Sequence, residues 1–257
     1  MSHEAARPLS HQSTNDQVFA MVRPLLASGI RMLDLGAGEG YFSGVVGRFC
    51  EETLGVAPAT ILSACDVTPE IFRYPLVACE RLSPDGRLPY ADATFDVVCS
   101  LEVLEHVEDQ FAFSREVMRV LKPGGVAIIS TPNVLNLNSR WRYLHSGFFT
   151  LFNPLPLSRV DVVHTSGHIH PVSYYYIGVA FLRAGAAAVS VSYDRHKRSA
   201  MGLLILTWPV LFLGGLLFRS KLRRRDPKVH DENVEVLAAL RSPGMLTARS
   251  VIVRVTR

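Results

Sequence analysis

Charge is scarce in this chain. Asp, Glu, Lys and Arg make up 19% of its 257 residues, against roughly a quarter in an ordinary soluble domain. Hydrophobic residues reach 48% and mean hydropathy is +0.19. That balance excludes a disordered, highly solvated chain and leaves apolar side chains to spare for part of the surface. Cysteine is sparse as well: Cys50, Cys65, Cys79 and Cys99 lie 14 to 20 residues apart with no C-x-x-C pair, which excludes a zinc ribbon or a dithiol redox motif. Three of them sit in apolar runs and are expected as buried thiols of a reducing compartment. The opening MSHEAARPLSHQSTNDQ lacks a basic stretch followed by a long apolar run, so no secretory leader is expected and the protein is placed on the cytoplasmic side. There is no internal repeat, and at about 100 to 200 residues per domain the whole chain, 1–257, is read as one domain.

Acidic residues are missing where basic ones gather. The net charge is only +4, yet residues 195–225 hold eight Lys or Arg and no Asp or Glu. Inside that stretch runs the uncharged segment MGLLILTWPVLFLGGLLF, residues 201–218. As one helix it would extend about 27 Å, near the roughly 30 Å of a bilayer core. Strand-like segments on either side of it should share one sheet, however, and a crossing would put them on opposite sides of a membrane. Basic residues flank both ends, where a span calls for asymmetry, and Pro209 and Gly214-Gly215 permit a bend. The expectation is a monotopic hairpin or interfacial helix on the cytoplasmic membrane face, with a helix buried in protein as the alternative.

What is plentiful is alternation. A helix is expected over about 16–27, then a strand at Ile30–Leu35 running into the glycine stretch GAGEG and a helix over YFSGVVGRFC. A second strand spans Thr60–Val67, with a helix beginning at Thr68-Pro69-Glu70; a third strand spans Thr94–Leu101, followed by a helix over Glu102–Val120; the next is Val126–Ser130. Residues 132–170 break the rhythm and are read as a cover over the acceptor site. A helix over Val172–Ala184 and strands at Ala187–Tyr193 and Ser250–Val255 complete the pattern, separated by an insertion at 195–248. This predicts an α/β fold: a Rossmann-like, doubly wound, mostly parallel sheet with an apolar helical insertion before the last strand. Ligands of such folds bind at the carboxyl ends of the strands.

The glycine stretch sits where such a ligand would lie. Asp34-Leu35-Gly36-Ala37-Gly38-Glu39-Gly40 follows a strand and opens a helix, so its glycines allow positive φ and close backbone approach beside free helix N–H groups. A tight turn alone would need the same glycines. The spacing G-x-G-x-G departs from the dinucleotide fingerprint G-x-G-x-x-G, which disfavours a nicotinamide-dependent oxidoreductase. Asp66, 26 residues beyond Gly40 at the end of the second strand, is placed either to accept hydrogen bonds from ribose hydroxyls or to cap the segment after it.

Taken together, LDLGAGEG, ACDVTPE, LPYADATFDVVCSLEVLEHVED and REVMRVLKPGGVAIISTPN, in that order over residues 31–133, resemble the class I S-adenosylmethionine-dependent methyltransferases. The resemblance implies S-adenosylmethionine as cofactor, with Asp34, Gly36, Gly38 and Gly40 at its methionine part, Asp66 at the ribose, and Ser100 with Leu101 lining the cleft. An acid before LPY, Asp85 or Glu80, is implied at the adenine. Glu105-His106 within LEVLEHV corresponds to a fold-level signature of the family. Asn133, Asn136, Arg140, Trp141 and Arg142 read mainly as loop contacts.

Methyl transfer to a hydroxyl needs a group to accept the proton, and histidine, with an ordinary pKa of about 6.5, is the usual device. His145, His164, His168 and His170 are candidates; HTSGHIHP, residues 164–171, holds three of them just before a helix. His168 is the first choice as catalytic residue and His170 the second, against a purely structural role in the loop. No metal site is expected, since the His164, His168 and His170 group lacks accompanying carboxylates. The activity expected is O-methylation of a small molecule presented at the membrane surface. A lipid-linked glycan intermediate ranks first, because the STPN and H-I-x-P segments resemble those of methyltransferases of surface-polysaccharide assembly. A quinone precursor, or a non-catalytic cofactor-binding scaffold, is the alternative, and no nucleic-acid partner is expected.

Overall fold

A computed structural model describes residues 6–83, 85–156 and 167–257. Seven strands, β1 (Met32–Leu35), β2 (Leu62–Asp66), β3 (Cys79–Arg81), β4 (Phe95–Leu101), β5 (Leu121–Pro132), β6 (Ala188–Tyr193) and β7 (Ser250–Thr256), form one sheet in the order β3-β2-β1-β4-β5-β7-β6. The first five are parallel, and β7 runs antiparallel between β5 and β6. The expected Rossmann-like, mostly parallel sheet is therefore present. Strand order reverses between β1 and β4, so the chain leaves β1 toward β2 on one side and finds β4 on the other. That is the point where a crevice opens beyond the carboxyl ends.

Period-two alternation sorts the core into two layers. Leu33, Val98, Ala127, Ile129 and Val253 face α3 (Gln110–Val120) and α5 (Tyr174–Arg183), while Met32, Val97, Cys99, Ile128 and Ile252 face α1 (Gln12–Val22) and α2 (Tyr41–Phe49). In β4 the register against β5 shifts between Phe95 and Val97, which lets Phe95 and Val98 share a face across an odd spacing. Cys50, Cys65 and Cys99 are buried and Cys79 is half-buried, all as free thiols.

Several boundaries differ from expectation for identifiable reasons. The first helix starts at Gln12 because the His11 ring accepts the Ser13 backbone N–H at 3.1 Å, and it gives way to a 3₁₀ turn at Arg23–Leu25 that accommodates Pro24. The helix expected from Pro69 is a single turn, Pro69–Ile71, since Pro75 follows; strand β3 beyond it carries too little pattern to be read in sequence. The helix expected over Glu102–Val120 is broken. Only the turn Leu104–His106 forms, and the helix proper begins at Gln110, where the Asp109 carboxylate accepts from Phe111 and Ala112 N–H at 2.8 and 2.9 Å.

The insertion is wholly helical: α6 (Arg198–Arg225), α7 (Pro227–Glu232), α8 (Val234–Ala239) and α9 (Pro243–Thr247). The hairpin envisaged for residues 201–218 does not form. Pro209 removes only one backbone donor, Gly214 and Gly215 keep helical rather than positive φ, and α6 continues unbroken for 28 residues.

Candidate functional site: a glycine cradle and a half-buried Glu-His-His group

The loop between β1 and α2 bends at three glycines, with φ of 75° at Gly36, 53° at Gly38 and 86° at Gly40. At Gly36 an added Cβ would meet Val103 Cγ2 at 2.4 Å, and at Gly40 it would meet the Phe72 ring at 2.8 Å. Both positions exclude a side chain through backbone and space together. Gly38 is open except for the flexible end of Leu9, part of an N-terminal segment that crosses the loop, with Arg7 N donating to Glu39 Oε2 at 3.1 Å. Sequence reading had not placed that segment here.

Asp34 points inward rather than toward the mouth. It is 2% exposed and accepts the Ser43 hydroxyl at 2.6 Å, tying β1 to α2, and burial pushes its pKa up to about 6. Asp66 stands at the carboxyl end of β2. Its Oδ2 accepts from Gly38 N at 2.8 Å, while Oδ1 accepts from the backbone and hydroxyl of Thr68 at 2.9 and 3.0 Å. It both braces the glycine loop and caps its own turn, as one of the two roles open in sequence required. Across the crevice, Ser100 is fully buried with its hydroxyl lacking a partner, and Leu101 ends β4 beside it. A cradle that a Cβ would fill, a carboxylate with spare acceptor capacity and an orphaned hydroxyl fit a nucleoside-bearing cofactor. Glu80 lies on β3 level with the end of β2, whereas Asp85 sits in the following loop, accepting from Arg87 N at 3.1 Å.

The break in the helix after β4 produces the second half of the site. Glu102 leaves the strand at φ 54°, a strained value of the kind found beside functional sites, and pairs with Arg249 at 3.2 Å. The Glu105 carbonyl accepts from Ile169 N at 2.9 Å and His170 N at 3.0 Å, so the segment after residue 166 replaces the helical partner that this carbonyl would have had. The Glu105 side chain is fully buried; Oε2 accepts the Thr131 hydroxyl at 3.0 Å and Oε1 has no partner. Burial first, then the nearby Glu102, holds its pKa well above the usual carboxylate range. His106 donates from Nδ1 to the Gly167 carbonyl at 2.9 Å and meets the His168 ring edge-on, centroids 4.9 Å apart. Phe152 covers His168 from another side at 5.2 Å.

Of the two histidines singled out in sequence, His168 enters this group and His170 does not. His170 Nδ1 donates to the Val107 carbonyl at 3.0 Å and fastens the loop. Burial, reinforced by His106 and Arg249, pushes the His168 pKa down to about 4, and its Nδ1 has no partner. The ring is neutral at physiological pH, a hydrogen-bond acceptor but a weak base. Ligand atoms of Glu105, His106 and His168 lie within 4.8 Å of one another and could hold a divalent cation. The carboxylate missing from the His164, His168 and His170 grouping is thus supplied by Glu105, and His164 lies outside the described residues. Glu105 and His106, read in sequence as a fold-level signature, are brought together with His168 by the structure. Their signal was an acid and a histidine adjacent at a strand end, masked because the segment reads as continuous helix.

Residues 33–129 match the family of methyltransferase domains. The core of this chain is a class I S-adenosylmethionine-dependent methyltransferase domain. A protein of Mycolicibacterium smegmatis named a probable S-adenosylmethionine-dependent methyltransferase is 37% identical over 106 residues, 41% of this chain and 39% of that protein. A ubiquinone biosynthesis O-methyltransferase of Rhodopseudomonas palustris is 32% identical over 120 residues, 45% of this chain and 42% of its own length. The chain thus spans about two fifths of the length of these curated relatives. In fold the likeness is broader: a crystal structure of a methyltransferase from Archaeoglobus fulgidus superposes with a TM-score of 0.55, covering 95% of this chain and 94% of the other at 14% identity. The matched segment runs from β1 into β5, and the residues after 129 lie beyond it.

Proposed function

We propose that this protein transfers a methyl group from S-adenosylmethionine to a hydroxyl of a lipid-carried small molecule. The observation that carries the reading is that two groups lie at the carboxyl ends of the parallel strands: the glycine cradle with Asp66 beyond β1 and β2, and Glu105, His106 and His168 gathered beyond β4. The cofactor brings a methyl group on a positively charged sulfur, an electrophile already activated. Asp66 would accept from the ribose hydroxyls, and the Ser100 hydroxyl would gain its missing partner. Positioning of the acceptor oxygen is then the main requirement. A hydroxyl becomes strongly acidic as its oxygen bonds to carbon, so the neutral His168 ring can take the proton late despite a pKa near 4. Glu105, whose proton affinity burial raises, orients the acceptor through its free Oε1.

The name of the Rhodopseudomonas palustris relative supports a quinol-type phenol as the acceptor. The STPN and H-I-x-P segments favour a lipid-linked glycan as the second reading. Calorimetry tests the cofactor: Asp66→Ala removes charge-assisted bonds of about 1.5–3 kcal/mol, so binding should weaken roughly tenfold to a hundredfold. Unchanged affinity in a folded variant would sink the assignment. His168→Ala should lower turnover by about 10²-fold, the low end for general-base catalysis, with cofactor affinity kept. Offering prenylated catechols and lipid-linked glycans separately, and looking by mass spectrometry for the gain of one methylene, distinguishes the acceptors.

A further inference from the structure

The largest unexplained feature is the apolar surface of α6. Along its 28 residues only Ala200 is buried, and Ile205, Leu206, Val210, Leu213, Leu217 and Phe218 each expose more than half of their surface. The helix does not stand free of the domain. Leu203, Leu204 and Leu211 pack on Leu246 of α9 and on Leu137, the first residue of α4 (Leu137–Ser146). Further along, Arg241 Nη2 donates to the Phe212 carbonyl at 3.2 Å and stacks its guanidinium 5.9 Å from the Phe212 ring, which leaves no room for a Cβ at Gly215. Fastenings therefore run from Ala200 to Gly215, about 22 Å of a helix about 42 Å long. A crossing needs about 20 apolar residues clear of the protein. Beyond Gly215 only ten helical residues remain, and five of them are Arg or Lys.

Three observations say what covers this face. First, both tryptophans of the chain lie on it or beside it: Trp208 on α6 and Trp141 on α4, 44% and 60% exposed, with Tyr143 and Leu144 next to Trp141. Aromatic side chains with a polar edge favour the level of lipid headgroups. Second, the basic residues of 195–225 bracket the apolar run without an acid among them. Third, a groove of about 320 Å³ between α6, α8 and α9 is lined by Arg140, Arg219 and Arg241 among apolar side chains, with no carboxylate. Arg140 donates to the Leu135 carbonyl at 2.7 Å.

We propose that α6 and α4 dock in the plane of an anionic lipid surface, with the arginines of the groove and of the end of α6 on headgroup phosphates. This extends the proposed function by naming where the acceptor arrives from. Helix α4 starts five residues after β5 ends, and β5 carries the Thr131 that holds Glu105. From α4 the Ser139 hydroxyl accepts Thr150 N at 3.0 Å, and Phe152 just beyond covers His168. The lipid face and the Glu105-His106-His168 group are thus joined through a short stretch of chain.

Vesicle binding can fail while cofactor binding succeeds, so the two proposals part in experiment. The full chain should float with phosphatidylcholine vesicles containing phosphatidylglycerol at low salt, and weakly with pure phosphatidylcholine or at high salt. The double variant Leu213→Asp/Leu217→Asp should not float, yet should keep the wild-type melting temperature and cofactor affinity. Arg219→Ala/Arg223→Ala should lose the preference for phosphatidylglycerol. Depth is read by quenching with lipids brominated along the acyl chain, using Trp141→Phe and Trp208→Phe so that one tryptophan remains in each. Both remaining tryptophans should be quenched most by bromines near the headgroups. Trp208 quenched most at the bilayer centre with Trp141 untouched would mean that α6 crosses, and a dimer in solution that ignores vesicles would mean that a second copy covers the face. Either result overturns the proposal.

Discussion

Ile128 in β5 and Leu216 in α6 belong to equally apolar runs with opposite fates. Ile128 is fully buried between sheet and helices, while Leu216 is 45% exposed. Hydrophobicity alone does not choose between them. A strand of the parallel sheet has neighbours on both edges and helices on both faces, so every side chain finds a partner. Helix α6 leaves the sheet after β6 and returns only before β7, and the domain offers it one side for contact. The methyltransferase core covers its own apolar side chains, whereas the insertion leaves an apolar face exposed.

Three experiments break or sharpen this contrast. The largest effect is expected at Gly36→Val, which adds strain of about 1–3 kcal/mol at a positive φ and a similar cost for overpacking against Val103. Cofactor binding should be lost by calorimetry and the melting temperature should fall. Wild-type affinity in this variant would mean that the loop is not the cradle. The second concerns Asp34, whose pKa is raised from 3.8 to about 6 by burial. Below pH 4 both folded and unfolded states hold the proton. As pH rises from 4 to 6 the unfolded chain releases it first, so stability falls, by roughly 3 kcal/mol in all. Glu102 and Glu105 are shifted in the same direction, so the reading is a difference: in urea unfolding Asp34→Asn should escape this part of the loss. A parallel pH dependence in both proteins would show that Asp34 is charged in the fold. The smallest effect is expected outside the core: Leu216→Ser should change stability by less than about 0.5 kcal/mol, where Ile128→Ala should cost about 2–5 kcal/mol. Comparable losses would show that α6 is buried in protein.

The glycine loop and the place of Asp66 were legible because their signals are local. Glycines at alternate positions after an apolar strand, and an acid at the end of the next strand, each carry their meaning within a few residues. The grouping of Glu105, His106 and His168 was not legible. His168 was identified as a histidine near a helix start, but its neighbours Glu105 and His106 lie 63 and 62 residues away in sequence. The run Glu102–Val120 has helical spacing, so nothing in it announces the break that exposes the Glu105 carbonyl to Ile169 and His170.

By itself the sequence determined the alternation of strands and helices, the glycine turn, the two layers of the core and an apolar run with basic flanks, since each follows from periodicity or from the conformational limits of single residues. Tertiary structure decided the rest. Strand order set the crevice at β1 and β4, and hydrogen bonds across 61 to 65 residues brought a buried acid and two half-buried histidines into one group with shifted proton affinities. The fastening of α6 to α4 and α9 decided that it lies along the domain. These outcomes depend on which distant surfaces meet, and an apolar side chain or a buried carboxylate acquires its character only from the neighbours that exclude water from it.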